Sequence, residues 1–255
     1  MKFSLFGVVV PLVTPLDGEE ALDAAAVRPL VDFLIERGVA GLYPGGTTGE
    51  GFLLAPDERR RLAEAVVDAA AGRVPVIVQT GAITTAETVA LTRHAQEIGA
   101  QAAAVIPPYV YRHSEAVLLD HYRTVAESVP DLPLLLYNYP AISNNAITVD
   151  LVMALREVAP NVVGMKDSSG SLEMLARLKA ETGGTFLAFN GGDGQILMSA
   201  AAGFNGCVSG NANVVPELVV ALYNAAAAGD LSLARTLQQK LNRVRELLGD
   251  GGDLS

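Results

Sequence analysis

Lysine is scarce in this chain, which holds only Lys2, Lys166, Lys179 and Lys240. Lys2 is terminal, and Lys179 and Lys240 fall on polar faces of helical stretches, where a solvated ammonium needs no further role. Lys166 differs because it closes the apolar run Val162-Val163-Gly164-Met165. Desolvation at the end of such a run lowers the lysine pKa and favours the free amine, the species that attacks a carbonyl to form a Schiff base. The alternative for this lysine is a structural ion pair with Asp167.

Four other segments carry groups that could serve such chemistry. One apolar run ends in Leu136-Tyr137-Asn138-Tyr139-Pro140, and a phenol beside an imine-forming lysine can carry protons as the carbinolamine forms and collapses. A tyrosine there can also simply pack with its hydroxyl hydrogen-bonded. Pro44-Gly45-Gly46-Thr47-Thr48-Gly49-Glu50-Gly51 offers exposed amides and two hydroxyls to a carboxylate or phosphate, unless its glycines serve only the turn. It lacks the Gly-Lys-Ser/Thr ending of a nucleotide-binding P-loop, which disfavours ATP. Gly206-Cys207-Val208-Ser209-Gly210-Asn211 is a small-residue mouth that lets a ligand approach main-chain carbonyls. Asn190-Gly191-Gly192-Asp193-Gly194 could line a specificity pocket or bind phosphate, or be a plain loop with an Asp cap.

Other chemistries find little support. His94, His113 and His121 share no helical face, and the single cysteine excludes an internal disulfide and, with so few histidines, a Cys/His zinc cluster. Cys207 reads as a small buried residue. No Ser-His-Asp arrangement or nucleophile elbow is present, and no metal or organic cofactor is expected.

The elements that must position these groups alternate eight times between short apolar runs and longer alanine-rich stretches of helical period. The strand candidates are 6–13, 40–43, 75–79, 102–106, 134–139, 162–166, 185–189 and 204–209. Helices are expected to begin near Asp23, Pro56, Thr85, Ser114, Thr148, Ser171, Asp193 and Val215, several with a polar cap or a first-turn proline. Strands that are continuously apolar imply parallel pairing covered on the outside, hence an α/β fold, a (β/α)8 TIM barrel. The rival, an open doubly wound sheet, wants a glycine fingerprint after the first strand, where Pro11-Leu12-Val13-Thr14-Pro15 has no glycine. In a barrel the chemistry sits at the C-terminal ends of the strands, where Lys166, Tyr137, Thr47 and Thr48 fall. An amphipathic stretch from Leu231 to Leu248, with leucines at 233, 237, 241, 247 and 248, reads as an appended helix packing on the barrel or on a neighbouring subunit. The expected division is a catalytic barrel over 1–228 and a helical extension over 229–255, frayed from Gly249 onward.

The chain has 255 residues, half of them apolar, enough for one large core. Its 18 basic and 28 acidic residues leave a net charge of -10, which disfavours nucleic acid and anionic lipid surfaces. Mean hydropathy is +0.33, yet no apolar run is long enough to span a membrane. The N-terminus shows no signal-peptide pattern, so a cytoplasmic location is expected.

Gly46-Thr47-Thr48-Gly49-Glu50, Tyr137-Asn138-Tyr139-Pro140 and Gly164-Met165-Lys166-Asp167-Ser168-Ser169, in that order on strands two, five and six, resemble the dihydrodipicolinate synthase and N-acetylneuraminate lyase family. The resemblance runs from Thr14-Pro15 to Ala212-Asn213-Val214, which would open the eighth helix. It implies a class I, pyruvate-dependent aldolase or synthase, usually a homotetramer, acting on pyruvate or another 2-oxo acid and an aldehyde. In this reading Lys166 is the Schiff-base lysine and Tyr137 the proton relay. Thr47 and Thr48, on the turn opened by Gly46, hold the pyruvate carboxylate, and Val208 presents the carbonyl that faces the lysine.

Three departures bear on the substrate. The lysine-pathway synthases place an arginine five residues after the tyrosine, where this chain has Ile142. The family's third relay tyrosine, contributed across a subunit interface, aligns with Val110, so that Tyr109 or Tyr111 substitutes or the relay is shortened. Sialic acid lyases carry an acidic residue where Gly194 follows Asp193. The pattern looks closest to 2-keto-3-deoxygluconate-type aldolases, in which a second tyrosine such as Tyr139 meets substrate hydroxyls. The rivals are dihydrodipicolinate synthase with a substituted anchor and a non-catalytic sugar-acid-binding relative.

Overall fold

A computed structural model describes residues 3–249. Lys2, and the tail from Asp250 that was expected to fray, lie outside the described residues. Eight parallel strands follow one another around a barrel: β1 (Gly7–Pro11), β2 (Gly41–Tyr43), β3 (Ile77–Gln79), β4 (Ala102–Val105), β5 (Leu134–Asn138), β6 (Val162–Asp167), β7 (Leu187–Asn190) and β8 (Gly206–Val208). β1 pairs with β8, so the sheet curls back on its beginning. The remaining seam, β2 to β3, is closed by the Leu42 N–H donating to the Pro75 carbonyl and the Gln79 N–H to the Pro44 carbonyl, each at 3.0 Å. All eight strands fall inside the runs expected from the sequence or within one residue of them.

The helices are α1 (Ala24–Glu36), α2 (Pro56–Ala70), α3 (Thr85–Glu97), α4 (Glu115–Ser128), α5 (Pro140–Ser143), α6 (Val149–Val158), α7 (Leu172–Glu181), α8 (Ile196–Ala201), α9 (Pro216–Ala227) and α10 (Leu231–Leu247). Their starts follow local chemistry. Asp23, Thr84, Ser114, Thr148, Ser171 and Asp230 each accept a backbone N–H from the first turn that follows, and Pro56 and Pro216 occupy first-turn positions where no donor is needed. Two expectations are corrected. Residues 193–195 form a single 3-10 turn, with α8 starting at Ile196, and Gly210–Asn213 forms another 3-10 turn before α9, so Asn213 does not open that helix. The one-turn helix α5 was not expected, because Pro140 follows directly on a strand.

Strand alternation sorts side chains into two layers. Val9, Tyr43, Ala102, Ala104, Leu135, Tyr137, Leu187, Phe189 and Val208 fill the barrel interior. Their neighbours, such as Val8, Leu42, Ala103, Leu136, Met165 and Cys207, face the helices in two outer clusters. α10 packs on α8 and α9 through Ala234, Gln238 and Leu241. The expected leucine stripe is therefore rotated: Leu241 is buried and Leu237 partly so, but Leu233, Leu247 and Leu248 are exposed. Burial on α10 follows the i, i+4, i+7 row that meets α8 and α9, and that row contains a glutamine.

Strand β8 crosses close to β1. A Cβ on Gly206 would lie 2.3 Å from the Gly7 carbonyl oxygen and 3.0 Å from the Phe189 ring, whereas a Cβ on Gly18 would meet nothing within 4 Å. Gly206→Ala is expected to cost about 1–3 kcal/mol and Gly18→Ala less than about 0.5 kcal/mol, read as the difference in thermal unfolding midpoints.

Candidate active site

The parity that fills the barrel also selects which polar groups enter it. On β6, Met165 faces the helices, so Lys166 points inward and Asp167 outward. Lys166 is 5% exposed, and its Nζ lies 3.9 Å from the ring centroid of Tyr137 and 4.7 Å from that of Tyr43. Asp167 does not pair with it. The Asp167 carboxylate instead accepts from Asn138 Nδ2 at 2.6 Å and from the Ser169 hydroxyl at 2.8 Å. The structural ion-pair alternative for Lys166 is thereby removed. Burial lowers the Lys166 pKa to about 7, with the Asp193 carboxylate opposing the shift.

β5 pairs with β6 in the register Tyr137↔Lys166, which sets the phenol beside the amine. The Tyr137 hydroxyl lies 3.1 Å from Thr47 Oγ1. Burial pushes the Tyr137 pKa up to about 12, while hydrogen bonds to Thr47 and Ser168 hold it back, so the phenol keeps its proton at neutral pH. Tyr139, half-buried at the end of the strand, stands with its ring centroid 6.1 Å from that of Tyr137.

Thr47 and Thr48 are half-buried on the turn after β2. Gly46 opens that turn because a Cβ there would come 2.8 Å from the Tyr43 ring, and Gly51 closes it against the Gly45 carbonyl. The turn's internal hydrogen bonds are donated by Gly49, Glu50 and Gly51, not by Thr47 or Thr48. Two hydroxyls and two amides therefore gather at one lip of the barrel, a set suited to a carboxylate. Val208 is buried on β8 in the same interior layer as Tyr137.

At the opposite lip, Asp193 Oδ2 accepts from the Asn211 amide N–H at 3.2 Å and from Asn211 Nδ2 at 2.5 Å, while Asp193 Oδ1 is buried without a partner. Burial raises the Asp193 pKa against the hydrogen bonds from Ser209 and Asn211. Of the residues considered as relay substitutes, Tyr109 packs edge-on against Phe52 at 5.0 Å and Tyr111 is exposed. Val110 between them has φ +80°, a strained value for a β-branched residue, and is 58% exposed. Ile142 is exposed on α5. His94 Nε2 meets Glu64 at 2.8 Å and His121 Nδ1 meets Thr85 at 2.9 Å. Among the described residues no group of three His, Cys, Asp or Glu could hold a metal ion. Cys207 is buried, and its thiol pKa is pushed up by burial.

Two residues at the site are missing from the set read off the sequence. Tyr43 is buried against Lys166 with its hydroxyl unpaired, and Ser168 reaches the Tyr137 hydroxyl. The parity of β2 would identify Tyr43 as inward-facing only once the barrel register is known.

The chain matches the dihydrodipicolinate synthetase family over residues 4–251. It belongs to that family. A 4-hydroxy-tetrahydrodipicolinate synthase of Brucella abortus is 38% identical over 244 residues, covering 96% of this chain and 83% of the relative. The chloride-inhibited dihydrodipicolinate synthase of Acinetobacter baumannii, solved with pyruvate, superposes with a TM-score of 0.92 at 31% identity, covering 98% of this chain and 85% of that one. A catalytic lysine mutant of the Ruminococcus gnavus sialic acid aldolase superposes with a TM-score of 0.91 at 28% identity, covering 94% and 78%. Members of the dihydrodipicolinate synthetase family are pyruvate-dependent lyases and aldolases, and this chain is an enzyme of that class. No helix among its described residues is long and apolar enough to cross a membrane.

The burial of Lys166 has a thermodynamic consequence. Its folded pKa, about 7, lies below the ordinary 10.5, so between these values the unfolded chain holds a proton that the folded chain has released. This group's contribution to stability therefore rises with pH from about 7 to 10.5 and is flat below 7. Lys166→Met is expected to raise stability at pH 7 by roughly 2–4 kcal/mol and to flatten that rise, measured by urea unfolding across the pH range.

Proposed function

We propose that this chain is a Schiff-base aldolase or synthase in which the Lys166 amine condenses with pyruvate or a related 2-oxo acid. The observation that carries this reading is the buried Lys166 Nζ lying 3.9 Å over the ring of Tyr137, whose hydroxyl meets Thr47. The neutral amine attacks the C2 carbonyl, and the resulting carbinolamine loses water to give a protonated imine. Tyr137 keeps its proton at neutral pH and relays it between the leaving hydroxyl and Thr47, while the Thr47 and Thr48 turn holds the carboxylate. Loss of a C3 proton yields an enamine that adds to an aldehyde, and hydrolysis frees Lys166. In the reverse direction the protonated imine is the electron sink that lets the carbon-carbon bond break. Val208 lines the wall beside the imine, and these steps call on no metal or organic cofactor.

The aldehyde has two readings. The name of the Brucella relative supports aspartate semialdehyde, which makes 4-hydroxy-tetrahydrodipicolinate synthesis the first reaction to assay. The apolar Ile142 on α5 and the Tyr139 ring at the site favour a 2-keto-3-deoxy sugar acid, whose hydroxyls need no cationic anchor. By family resemblance the working enzyme is a cytoplasmic homotetramer, with 229–255 as an extension of a barrel that ends at 228.

Incubation with pyruvate and borohydride is expected to add one reduced pyruvate, mapped by peptide mass to Lys166. Turnover retained by Lys166→Ala would refute the mechanism, and binding without turnover of either aldehyde class would support the non-catalytic reading. Tyr137→Phe is expected to lower kcat by about 10²–10⁴-fold while leaving the fold intact by circular dichroism. Parallel assays with aspartate semialdehyde and with 2-keto-3-deoxygluconate then decide the electrophile.

A further inference from the structure

The inner face of α10 consists of Ala234, Gln238 and Leu241. A buried amide is costly unless both its ends are bonded, and a leucine at this place would bury more readily. Gln238 is 7% exposed, and each end of its side chain has a partner. Its Oε1 accepts the Leu197 N–H at 3.1 Å, and its Nε2 donates to the Asp193 carbonyl at 2.9 Å and to Asn242 Oδ1 at 3.1 Å.

Those two backbone partners bracket the 3-10 turn that follows β7 and leads into α8. The first N–H groups of a helix have no partner within it, and Gln195, at the cap position of α8, makes no side-chain cap bond. Gln238 supplies one from another helix, and with its other end it holds Asp193, on the turn that leaves β7 just beyond the register pair Asp167↔Asn190 at the end of the lysine strand. The turn is tight against α10 elsewhere too, since a Cβ on Gly194 would come 2.5 Å from Arg245 Nη1. The charged or titratable groups around Asp193 are Lys166 on β6, Cys207 on β8 and Arg245 on α10, with Ser209 and Asn211 as its hydrogen-bond donors.

We infer that Gln238, on the helix appended after the eighth βα unit, is a positioning residue of the active site: it bridges the Asp193 carbonyl and the Leu197 N–H and so fixes the turn that carries the Asp193 carboxylate beside the end of the lysine strand. The inference rests on the Schiff-base reading of Lys166. It makes α10 part of the catalytic apparatus, although none of its side chains need touch the substrate.

The test compares the full-length wild type with Gln238→Met, Gln238→Leu and Leu241→Ala, following the rate of borohydride-trapped pyruvate adduct on Lys166 against pH. Releasing the turn weakens the hold of Asp193 on the Lys166 ammonium. Both Gln238 variants are therefore expected to move the acid limb to lower pH by about half a unit, a threefold change in free amine on that limb. Amide hydrogen exchange at Leu197 should quicken in the same two variants. Leu241→Ala, which loosens the same helix face without touching the turn, should lower the unfolding temperature and leave the limb in place. The proposal is overturned if the Gln238 variants share the wild-type limb, or if Leu241→Ala shifts it as far as they do. A wild type that forms no adduct would instead overturn the Schiff-base reading itself, and this proposal with it.

Discussion

Among the described residues no ion pair includes Lys166, and its amine is enclosed by aromatic faces and the apolar wall of a barrel. Removing a charge from water without a paired counterion favours the neutral form, which is the form that the proposed Schiff-base chemistry requires. The Asp193 carboxylate raises the pKa, but less than burial lowers it, so the amine titrates near neutrality. The nearest carboxylate in sequence, Asp167, is kept out of this balance by strand parity and by its bonds to Asn138 and Ser169. If Asp167 faced inward, the lysine would be an ordinary salt-bridge cation.

The same parity explains the composition of the inner layer. Small residues, Ala102 and Ala104 on β4 and Gly206 on β8, share the interior with the rings of Tyr43, Tyr137 and Phe189. Close packing fits the large rings in among such small side chains. Those rings then hold the amine from two sides, and the hydroxyl of one of them reaches the threonine turn at the lip. The ring that packs the barrel thus also carries the hydroxyl that meets Thr47.

The two lips of the barrel are built differently. The Thr47 and Thr48 turn is closed by three backbone hydrogen bonds of its own, donated by Gly49, Glu50 and Gly51, and by close glycine contacts. The 193–196 turn has fewer bonds of its own and is held by β8 through Asn211 and by α10 through Gln238. Both turns are thus tied to their neighbours, the first through Thr14, Gln79 and Tyr137 and the second through Asn211 and Gln238.

Periodicity and local chemistry determined much of this protein: eight continuous apolar runs, the capped helices between them, and the inward-ending segments that carry Lys166, Tyr137, Thr47 and Thr48. These features are legible because strand burial, capping and turn geometry depend on residues close together in the chain. The chain alone could not choose between an imine-forming amine and a Lys166–Asp167 pair, since that choice depends on which face of β6 meets the barrel axis. It also gave no sign of Tyr43 against the amine, of Ser168 at the Tyr137 hydroxyl, or of a glutamine on the last helix gripping the turn after β7. Those contacts join positions 43 to 166 and 193 to 238, and only the closed barrel, with its helices packed around it, brings such distant backbone together.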